Sequence, residues 1–343
     1  MPLSTTLLLL AFSAAATWAL TGTVRGHALR SGRLDHPNAR SSHSQPTPRG
    51  GGVAIVVCYL TLVASLGALG FIERGFAAAL LGGGLLTAAL GYADDRRPLA
   101  ARWRFLGHLI AATWVLAWLG PLPAVPILGM TIDLGLGATL LSALYLVWSI
   151  NLFNFMDGID GIASLEAIAV SLGGAFVWWW TQPGGDWRLA VVFAACVAGF
   201  LVWNFPSARI FMGDAGSGFL GFVVATLALW SSHTDAHLFW SWFILGGCFM
   251  VDSTMTLIRR VARGERFNEA HRSHAYQYAA RRHASHKSVS VAFMLITSVW
   301  LFPIALLVAA RHLDGVLGVA ITYVPLGVLA WRYKAGNRVA QEI

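Results

Sequence analysis

The sequence predicts an all-α integral membrane protein, on the basis of its composition, its long apolar segments and the distribution of its basic residues. Of the 343 residues, 57% are hydrophobic and 12% are charged, and the mean hydropathy is +0.64. A soluble domain has about 25% charged residues and could not bury so much apolar surface at this length. The composition therefore excludes an ordinary cytosolic enzyme, a disordered chain and, despite the net charge of +8, a protein that binds nucleic acid.

Eleven apolar segments are long enough, at about 20 residues each, to cross a bilayer as helices. They predict a single multi-spanning domain over residues 1–343, built as a bundle of about 11 transmembrane helices without separate soluble domains. The segments are 3–24, 52–72, 75–93, 103–119, 135–155, 161–181, 188–205, 216–231, 238–258, 290–310 and 315–331.

The basic residues predict the orientation of this bundle, because Lys and Arg collect in cytoplasmic loops. If the N-terminus lies outside, 21 of the 24 Lys and Arg residues fall on the cytoplasmic side, and only Arg74, Arg188 and Arg311 fall on the other. An odd number of spans then puts the C-terminus inside. The cytoplasmic loops are expected at about 25–51, 94–103, 206–215 and 259–289.

Polar residues that are costly in a membrane gather at the cytoplasmic ends of these segments, which makes them functional candidates. Asp94 and Asp95 end the third segment in GYADDRR. Two adjacent carboxylates repel each other, so a cation or a proton from a substrate would stabilise them. Solvated charges at a helix end, paired with Arg96 and Arg97, are the alternative interpretation.

The fifth segment ends in NLFNFMDGIDG, where Asn151, Asn154, Asp157 and Asp160 are spaced by three. Residues at i and i+3 lie on one face of a helix. Two amides and two carboxylates on one face of an apolar helix are costly without a ligand. The spacing therefore predicts a ligand site, with a polar seam between helices as the alternative.

Residues 211–218, FMGDAGSG, lie between the seventh and eighth segments. Asp214 is flanked by Gly213 and Ser217 and lies at the expected start of a helix. A helix N-terminus offers free N–H groups to phosphate, and a carboxylate beside it suits Mg²⁺ that bridges to phosphate oxygens. The alternative is a tight turn with a capping aspartate.

The last long loop contains HRSHAYQ, residues 271–277. His271 and His274 would share a helix face, and Arg272 lies beside them. Imidazoles and a guanidinium suit a pyrophosphate or phosphate ligand. Zinc is a weaker alternative because no third ligand is near in sequence, and a basic loop that attracts anionic lipid is another.

The first loop, 35–52, combines Arg40, His43 and Arg49 with three glycines at the start of a helix, which suggests a loop that approaches phosphate. An ordinary connecting loop is equally compatible with it. Asp252 and Glu166 lie inside apolar segments, and we interpret each as a hydrogen-bonding partner between helices.

Five carboxylates and two amides, converging with basic loops on one side of a membrane, suit a Mg²⁺-bound nucleotide pyrophosphate and a lipid phosphate.

The chain resembles the polyprenyl-phosphate N-acetylhexosamine-1-phosphate transferases, the glycosyltransferase family 4 enzymes of bacterial inner membranes. The resemblance lies in motifs that follow the family's order over about residues 37 to 277. These are PNARSSH and PTPRGGG in the first loop, DD at 94–95, NxxNxxDGIDG at 151–161, FMGDAGSG at 211–218 and HRSH at 271–274.

The resemblance implies a reaction on the cytoplasmic face of the membrane. Undecaprenyl phosphate, held among membrane lipid, attacks the sugar-linked phosphorus of a UDP-N-acetylhexosamine, so that UMP leaves and undecaprenyl-diphospho-N-acetylhexosamine forms. Mg²⁺ is the implied cofactor, with Mn²⁺ as its substitute. Downstream glycosyltransferases are expected partners, and a homodimer is left open.

The resemblance also assigns roles to the motif residues. Asp214, with Asp157 and Asn154, matches the metal neighbourhood. The catalytic aspartates are Asp94, Asp95, Asp157 and Asp160, of which the first two are expected to engage or deprotonate the lipid phosphate. The residues expected to bind the donor and its cofactor are Asn151, Asn154, Arg49, Gly213, Ser217, His271, Arg272 and His274.

One departure bears on the donor sugar. Relatives that use a muramyl-pentapeptide donor carry three consecutive histidines where this chain has HRSH. The motif favours a simple N-acetylhexosamine donor and the members that initiate O-antigen or another surface polysaccharide of lipopolysaccharide type. GlcNAc, GalNAc, FucNAc and QuiNAc remain open, and a muramyl-pentapeptide-phosphate transferase, a secondary transporter and a non-catalytic membrane protein are the alternatives.

Overall fold

The computed structural model describes residues 3–37, 45–265 and 271–338, and the described chain is mostly helical. A π-helical segment, Ile296–Leu301, lies between the helices His286–Leu295 and Phe302–Ala309. Two small antiparallel hairpins pair β1 (Leu34–Asp35) with β2 (Thr47–Pro48) and β3 (Val125–Ile127) with β4 (Met130–Ile132). The helices are α1 (Leu3–Arg30), α2 (Val53–Ala68), α3 (Arg74–Arg96), α4 (Ala101–Leu119), α5 (Leu136–Met156), α6 (Ile162–Thr181), α7 (Arg188–Asn204), α8 (Asp214–Thr234), α9 (His237–Leu245), α10 (Gly247–Ala262), α11 (Ala275–His283), α12 (His286–Leu295), α13 (Phe302–Ala309) and α14 (Gly315–Arg332).

Each apolar segment of the sequence forms a helix or a run of helices, and the chain is a multi-pass membrane protein. Within the described ranges, seven helices are long and apolar enough to cross a membrane, if α12, the π-helical segment and α13 are counted as one, and α9 with α10 makes an eighth if this pair is one span. The α9–α10 pair is bent by 70°, whereas the sequence predicted one span there. Helices α2 and α7 are shorter apolar helices. The count of eleven spans and the orientation therefore stay predictions.

Helix α8 lies at the centre of the bundle and packs against α3 and α5. Glycines allow the close approach on both sides. A Cβ at Gly91 of α3 would overlap the carbonyl oxygen of Asp214, and a Cβ at Gly221 of α8 would overlap the carbonyl oxygen of Ser149 on α5. The ends of α3 and α5 and the start of α8, which carry the aspartate motifs, therefore meet at one end of the bundle.

The glycine-rich part of the first loop packs on the segment before α8. The Phe211 N–H donates to the Pro48 carbonyl at 2.8 Å, and the Gly51 N–H donates to the Phe211 carbonyl at 2.9 Å. The Gly52 N–H donates to the Met212 carbonyl at 2.9 Å. These glycine N–H groups bind protein carbonyls, and the pairing fixes the position of Arg49. The expectation of a loop that approaches phosphate therefore depends on the Arg49 side chain and stays a prediction.

Candidate active site

Two adjoining cavities lie where the ends of α3, α5 and α8 meet the segment before α11. The main cavity has a volume of about 470 Å³, and the polar cavity has a volume of about 230 Å³. Asn154 and Asp214 line both of them. Of the predicted residues, the main cavity adds Asp94, Asn151, His271 and His274, and the polar cavity adds Arg49, Asp157, Asp160, Gly213 and Ser217.

Asp95 caps the N-terminus of α8. Its Oδ1 accepts the Asp214 N–H at 2.9 Å, and its Oδ2 accepts the Ala215 N–H at 3.2 Å. Arg49 Nη2 contacts Asp95 Oδ1 at 3.0 Å and Asp214 Oδ1 at 2.6 Å. The expectation that the first N–H groups of α8 are free for phosphate is therefore wrong, because the first two are bonded to Asp95.

Gly213 and Ser217 support this arrangement. Gly213 has φ +79°, and a Cβ on it would lie 2.7 Å from Asp95 Oδ2, so a side chain there would displace the cap. Ser217 Oγ accepts a hydrogen bond from Asn154 Nδ2 at 3.1 Å, which ties α8 to α5. Both were predicted as donor- or cofactor-binding residues; in this structure Gly213 leaves room for the Asp95 cap and Ser217 binds Asn154.

Asp94 differs from its neighbour, since it faces the main cavity. Its carboxylate accepts the Leu99 N–H at 2.6 Å and a hydrogen bond from Arg104 Nη1 at 3.0 Å. Asn151 Nδ2 lies 3.2 Å from His108 Nδ1 and donates to the Val147 carbonyl at 2.7 Å. The adjacent aspartates thus have different hydrogen-bond partners, although both interact electrostatically with Asp214.

Arg104 and His108 line the main cavity, and the sequence analysis did not assign them to the site. They lie one helical turn apart on α4, whose first turn also carries Arg102. Two ionisable residues spaced by four on one face of an apolar helix are the signal that could have found them.

Asp157 and Asp160 lie in the turn between α5 and α6, and both line the polar cavity. Burial raises the pKa of Asp157 well above its usual value; Arg49 opposes this shift, and the nearby carboxylates of Asp214, Asp95 and Asp160 reinforce it. Burial, together with these carboxylates, therefore favours the protonated form of Asp157.

Asp160 binds two neighbouring elements. Its Oδ2 accepts the Ala208 N–H at 3.0 Å, and its Oδ1 lies 3.4 Å from His286 Nδ1. Asn204, which the sequence analysis did not single out, accepts the Gly161 N–H at 3.1 Å and donates to the Ile210 carbonyl at 3.1 Å. No local pattern marks this asparagine, because its partners lie in two different loops.

The histidine loop is anchored by Asp252 of α10. Asp252 accepts the N–H groups of Ala275 and Tyr276 at 2.9 and 3.0 Å, and its Oδ1 lies 3.3 Å from His274 Nδ1. The interpretation of Asp252 as a partner between helices is thus correct, but the carboxylate also caps α11 and orients His274. Glu166, interpreted in the same way, accepts a hydrogen bond from Thr297 at 3.1 Å.

His271 stacks on His274, with 4.9 Å between the ring centroids. Burial lowers the pKa of His271 to about 3, and the charges of His274 and Arg260 add to this effect. Arg272, predicted to bind the donor, lines neither cavity, and its carbonyl accepts a hydrogen bond from Arg281 at 3.3 Å. Arg40 and His43 of the first loop lie outside the described residues.

The oxygen atoms around the polar cavity suit a hard divalent cation. Mg²⁺ usually takes one or two carboxylates together with substrate phosphates and water. Asp214, Asp157 and Asn154 supply two carboxylates and an amide to this cavity. In the part of the chain that the structure describes, no three His, Cys, Asp or Glu residues form a complete metal cage. The residues therefore fit a cation that is completed by substrate oxygens, and they do not fit a structural zinc.

Comparisons with known proteins agree with this geometry. Residues 77–232 match the family model described as glycosyl transferase family 4. A probable undecaprenyl-phosphate N-acetylglucosaminyl 1-phosphate transferase of Bacillus subtilis is 31% identical over 285 residues, which cover 80% of this chain and 78% of that protein. The chain belongs to the polyprenyl-phosphate N-acetylhexosamine-1-phosphate transferase family. The resemblance inferred from the motifs is thereby confirmed.

Two further relatives of this transferase differ in the sugar that their names give. A decaprenyl-phosphate N-acetylglucosaminephosphotransferase of Mycolicibacterium smegmatis is 36% identical over 234 residues, which cover 62% of this chain and 56% of that protein. A phospho-N-acetylmuramoyl-pentapeptide-transferase of Moorella thermoacetica is 33% identical over 189 residues, which cover 51% of this chain and 58% of that protein. The chain thus matches little more than half the length of these two proteins.

Proposed function

We propose that this protein transfers N-acetylhexosamine-1-phosphate from a UDP-sugar to undecaprenyl phosphate and releases UMP. The observation that carries the proposal is the pair of cavities that share Asn154 and Asp214. A polar cavity rich in carboxylates suits a cation-bound pyrophosphate. The main cavity beside it combines charged groups with apolar walls, which suits the phosphate and first prenyl units of a lipid. Its apolar walls include Leu90, Phe105, Leu144, Trp148 and Leu257.

The chemistry is a single displacement at phosphorus. An oxygen of the lipid phosphate forms a bond to the sugar-linked phosphorus, and the bond from that phosphorus to the bridging oxygen of UMP breaks. Asp214, Asp157 and Asn154 are the proposed ligands of Mg²⁺, with Mn²⁺ as a substitute. The cation would neutralise charge on the phosphate oxygens.

The chain's own residues supply orientation and charge. Arg49, which bridges Asp95 and Asp214, lines the polar cavity that we propose for the pyrophosphate. Arg104 is held by Asp94 at the side of the main cavity and would contact the acceptor phosphate. His274 binds Asp252 through Nδ1, so its Nε2 remains for the donor.

The donor sugar is the finer part of the proposal. The HRSH motif and the two relatives whose names give N-acetylglucosamine favour a simple N-acetylhexosamine. The relatives named for N-acetylmuramoyl-pentapeptide keep the muramyl donor as the second candidate. We further propose that the product initiates an O-antigen or similar surface polysaccharide.

We also propose the topology. The chain would cross the bacterial inner membrane eleven times with its N-terminus outside, so that both cavities open on the cytoplasmic side, where nucleotide sugars are made. The distribution of the 24 Lys and Arg residues supports this orientation.

The test is release of UMP by the purified protein in detergent with undecaprenyl phosphate, Mg²⁺ and one UDP-sugar per reaction. We expect release with one N-acetylhexosamine donor, dependence on both lipid and Mg²⁺, and loss of activity with EDTA. Asp214→Asn should remove most of the activity. The control is Asp133→Asn, which makes the same chemical change at an exposed residue that lines neither cavity and should leave the activity unchanged.

Release only with UDP-muramyl-pentapeptide would replace the proposed donor by the second candidate. Folded protein that releases no UMP with any of these donors would refute the transferase proposal. Near-normal turnover of Asp214→Asn would refute its role as a metal ligand.

A further inference from the structure

The chain after α14 returns to the histidine loop. The Gly336 N–H donates to the Ser273 carbonyl at 2.7 Å. Arg259 Nη1 of α10 donates to the Ala335 carbonyl at 2.9 Å, and Arg263 donates to the Gly336 carbonyl. The turn Ala335–Gly336 is therefore held between α10 and the loop that carries the histidines.

This turn requires glycine at position 336. Gly336 has φ +75°, a backbone conformation that side chains with a Cβ rarely adopt. A Cβ on it would lie 2.9 Å from the Cβ of Arg259 and 3.0 Å from the carbonyl oxygen of Thr256. Both residue 335 and residue 336 are buried. Any other residue at 336 would push the turn away from α10 and away from Ser273.

Ser273 in turn fixes the state of His271. The Ser273 N–H lies 3.4 Å from His271 Nδ1, and the Ser273 hydroxyl lies 3.0 Å from the same nitrogen. A backbone N–H can only donate, so Nδ1 is the acceptor and the imidazole hydrogen lies on Nε2; the Ser273 hydroxyl, which is the nearer group, then donates to the same nitrogen. The low pKa of His271, about 3, keeps the ring neutral, so the choice of tautomer decides which nitrogen donates.

We propose that the turn Ala335–Gly336 is a positioning element for donor binding, which acts through Ser273 to keep His271 in the tautomer that donates its Nε2–H into the main cavity. The inference rests on the proposed function, because the phosphate oxygens of the nucleotide sugar are the acceptors that this N–H would meet. Gly336 and Ser273 are positioning residues, since neither lines the main or the polar cavity.

The test compares kinetics of Gly336→Ala and Ser273→Ala with matched glycine controls. Gly264→Ala has the same left-handed backbone, with φ +74° and no neighbour within 4 Å, and Gly327→Ala lies in α14 with no neighbour within 4 Å. We expect both test variants to raise the donor KM about tenfold, the equivalent of about 1.4 kcal/mol for one hydrogen bond to phosphate. The kcat at saturating donor should change by less than about twofold, and both controls should match the wild type.

Ser273→Thr keeps the hydroxyl and should have the wild-type donor KM, so that the effect of Ser273→Ala is assigned to the lost hydroxyl; a purely structural role would lower kcat and stability as well. If Gly336→Ala does not fold, Ser273→Ala and Ser273→Thr decide the question. Binding of the UDP-sugar is measured by calorimetry beside turnover. A wild-type protein that neither binds nor converts a nucleotide sugar refutes the proposed function and the inference together. An active wild type whose Ser273→Ala variant keeps the wild-type donor KM refutes the inference alone.

Discussion

Asp95→Asn tests whether Asp95 acts mainly as the cap of α8. In the structure both carboxylate oxygens of Asp95 accept N–H groups of α8, from Asp214 and Ala215, and Oδ1 also contacts Arg49. Asparagine has almost the same shape but only one acceptor oxygen. Its amide group would face either an N–H of α8 or the guanidinium of Arg49, which are donors themselves.

The expected loss of stability follows from these contacts. A hydrogen bond to a charged acceptor contributes about 1.5–3 kcal/mol, and a helix cap about 0.5–2 kcal/mol. The ion pair with Arg49 adds little, because the Arg49 side chain is 40% exposed. One of the two cap bonds is lost and the other loses its charge, so we expect Asp95→Asn to destabilise the protein by about 2–4 kcal/mol. The thermal midpoint should fall by about 5 °C or more.

Asp94→Asn provides the comparison. The new amide would keep one acceptor oxygen for the Leu99 N–H, and the Arg104 side chain, which is 35% exposed, can move into the cavity. Both variants are measured for the thermal midpoint in detergent and for UMP release. Asp95→Asn should lose stability and activity, whereas Asp94→Asn should lose activity with the smaller shift in midpoint. The capping role would be refuted if Asp95→Asn lost turnover while its thermal midpoint stayed within about 1 °C of the wild type, which is roughly the precision of such a measurement. That result would indicate a direct role of Asp95 in the chemistry.

Three further predictions concern the histidine loop and the cation site. Asp252→Asn weakens the contacts of Asp252 with His274 and with the start of α11. The donor KM, measured by UMP release, should therefore rise about tenfold. An unchanged KM would contradict the anchoring role of Asp252. Arg49→Gln leaves Asp214 without its cationic partner, so the Mg²⁺ concentration for half-maximal activity should fall by about two- to fivefold; a rise would contradict it. His271 has a pKa of about 3 in the folded protein and about 6.5 in the unfolded chain. Below about pH 6.5 the unfolded state therefore binds more protons than the folded state. The free energy of unfolding should fall from there towards about pH 3, by up to about 1.4 kcal/mol per pH unit. Thermal midpoints of wild type and His271→Gln between about pH 7.5 and 4.5 test this, and equal slopes would count against it.

The polar residues of the candidate site were predictable wherever their spacing lies within one element. Asn154 and Asp157 follow the three-residue spacing of one helix end, and Asp214 lies at the start of α8 as expected. The structure brings all three to the polar cavity. Such local patterns can be recognised without knowing how the helices pack, although α5 ends at Met156 and Asp157 follows it in the turn rather than on a helix face.

Contacts between distant segments were not predictable in the same way. Asp95 and Asp214 are 119 residues apart, and Asn204 binds two loops that no spacing connects to it. The apolar run 238–258 indicated one span, but composition does not report the 70° bend between α9 and α10. Arg272 shares a motif with His271 and His274 and still lies outside both cavities, because the loop is not helical at that point.

The aspartate pair at the end of α3 shows why a motif can be recognised while its roles are not. Successive residues of an α-helix point about 100° apart, so Asp94 and Asp95 form their hydrogen bonds with different neighbours, although both interact with Asp214. Gly91 lies one turn before Asp95 on the face that admits α8, and Asp95 continues that face and binds the start of α8. Asp94 is left to face α4 and the main cavity, where Arg104 binds it. A pair that looks like two equivalent carboxylates is therefore expected to have two different roles, with Asp95 capping α8 and Asp94 facing the main cavity.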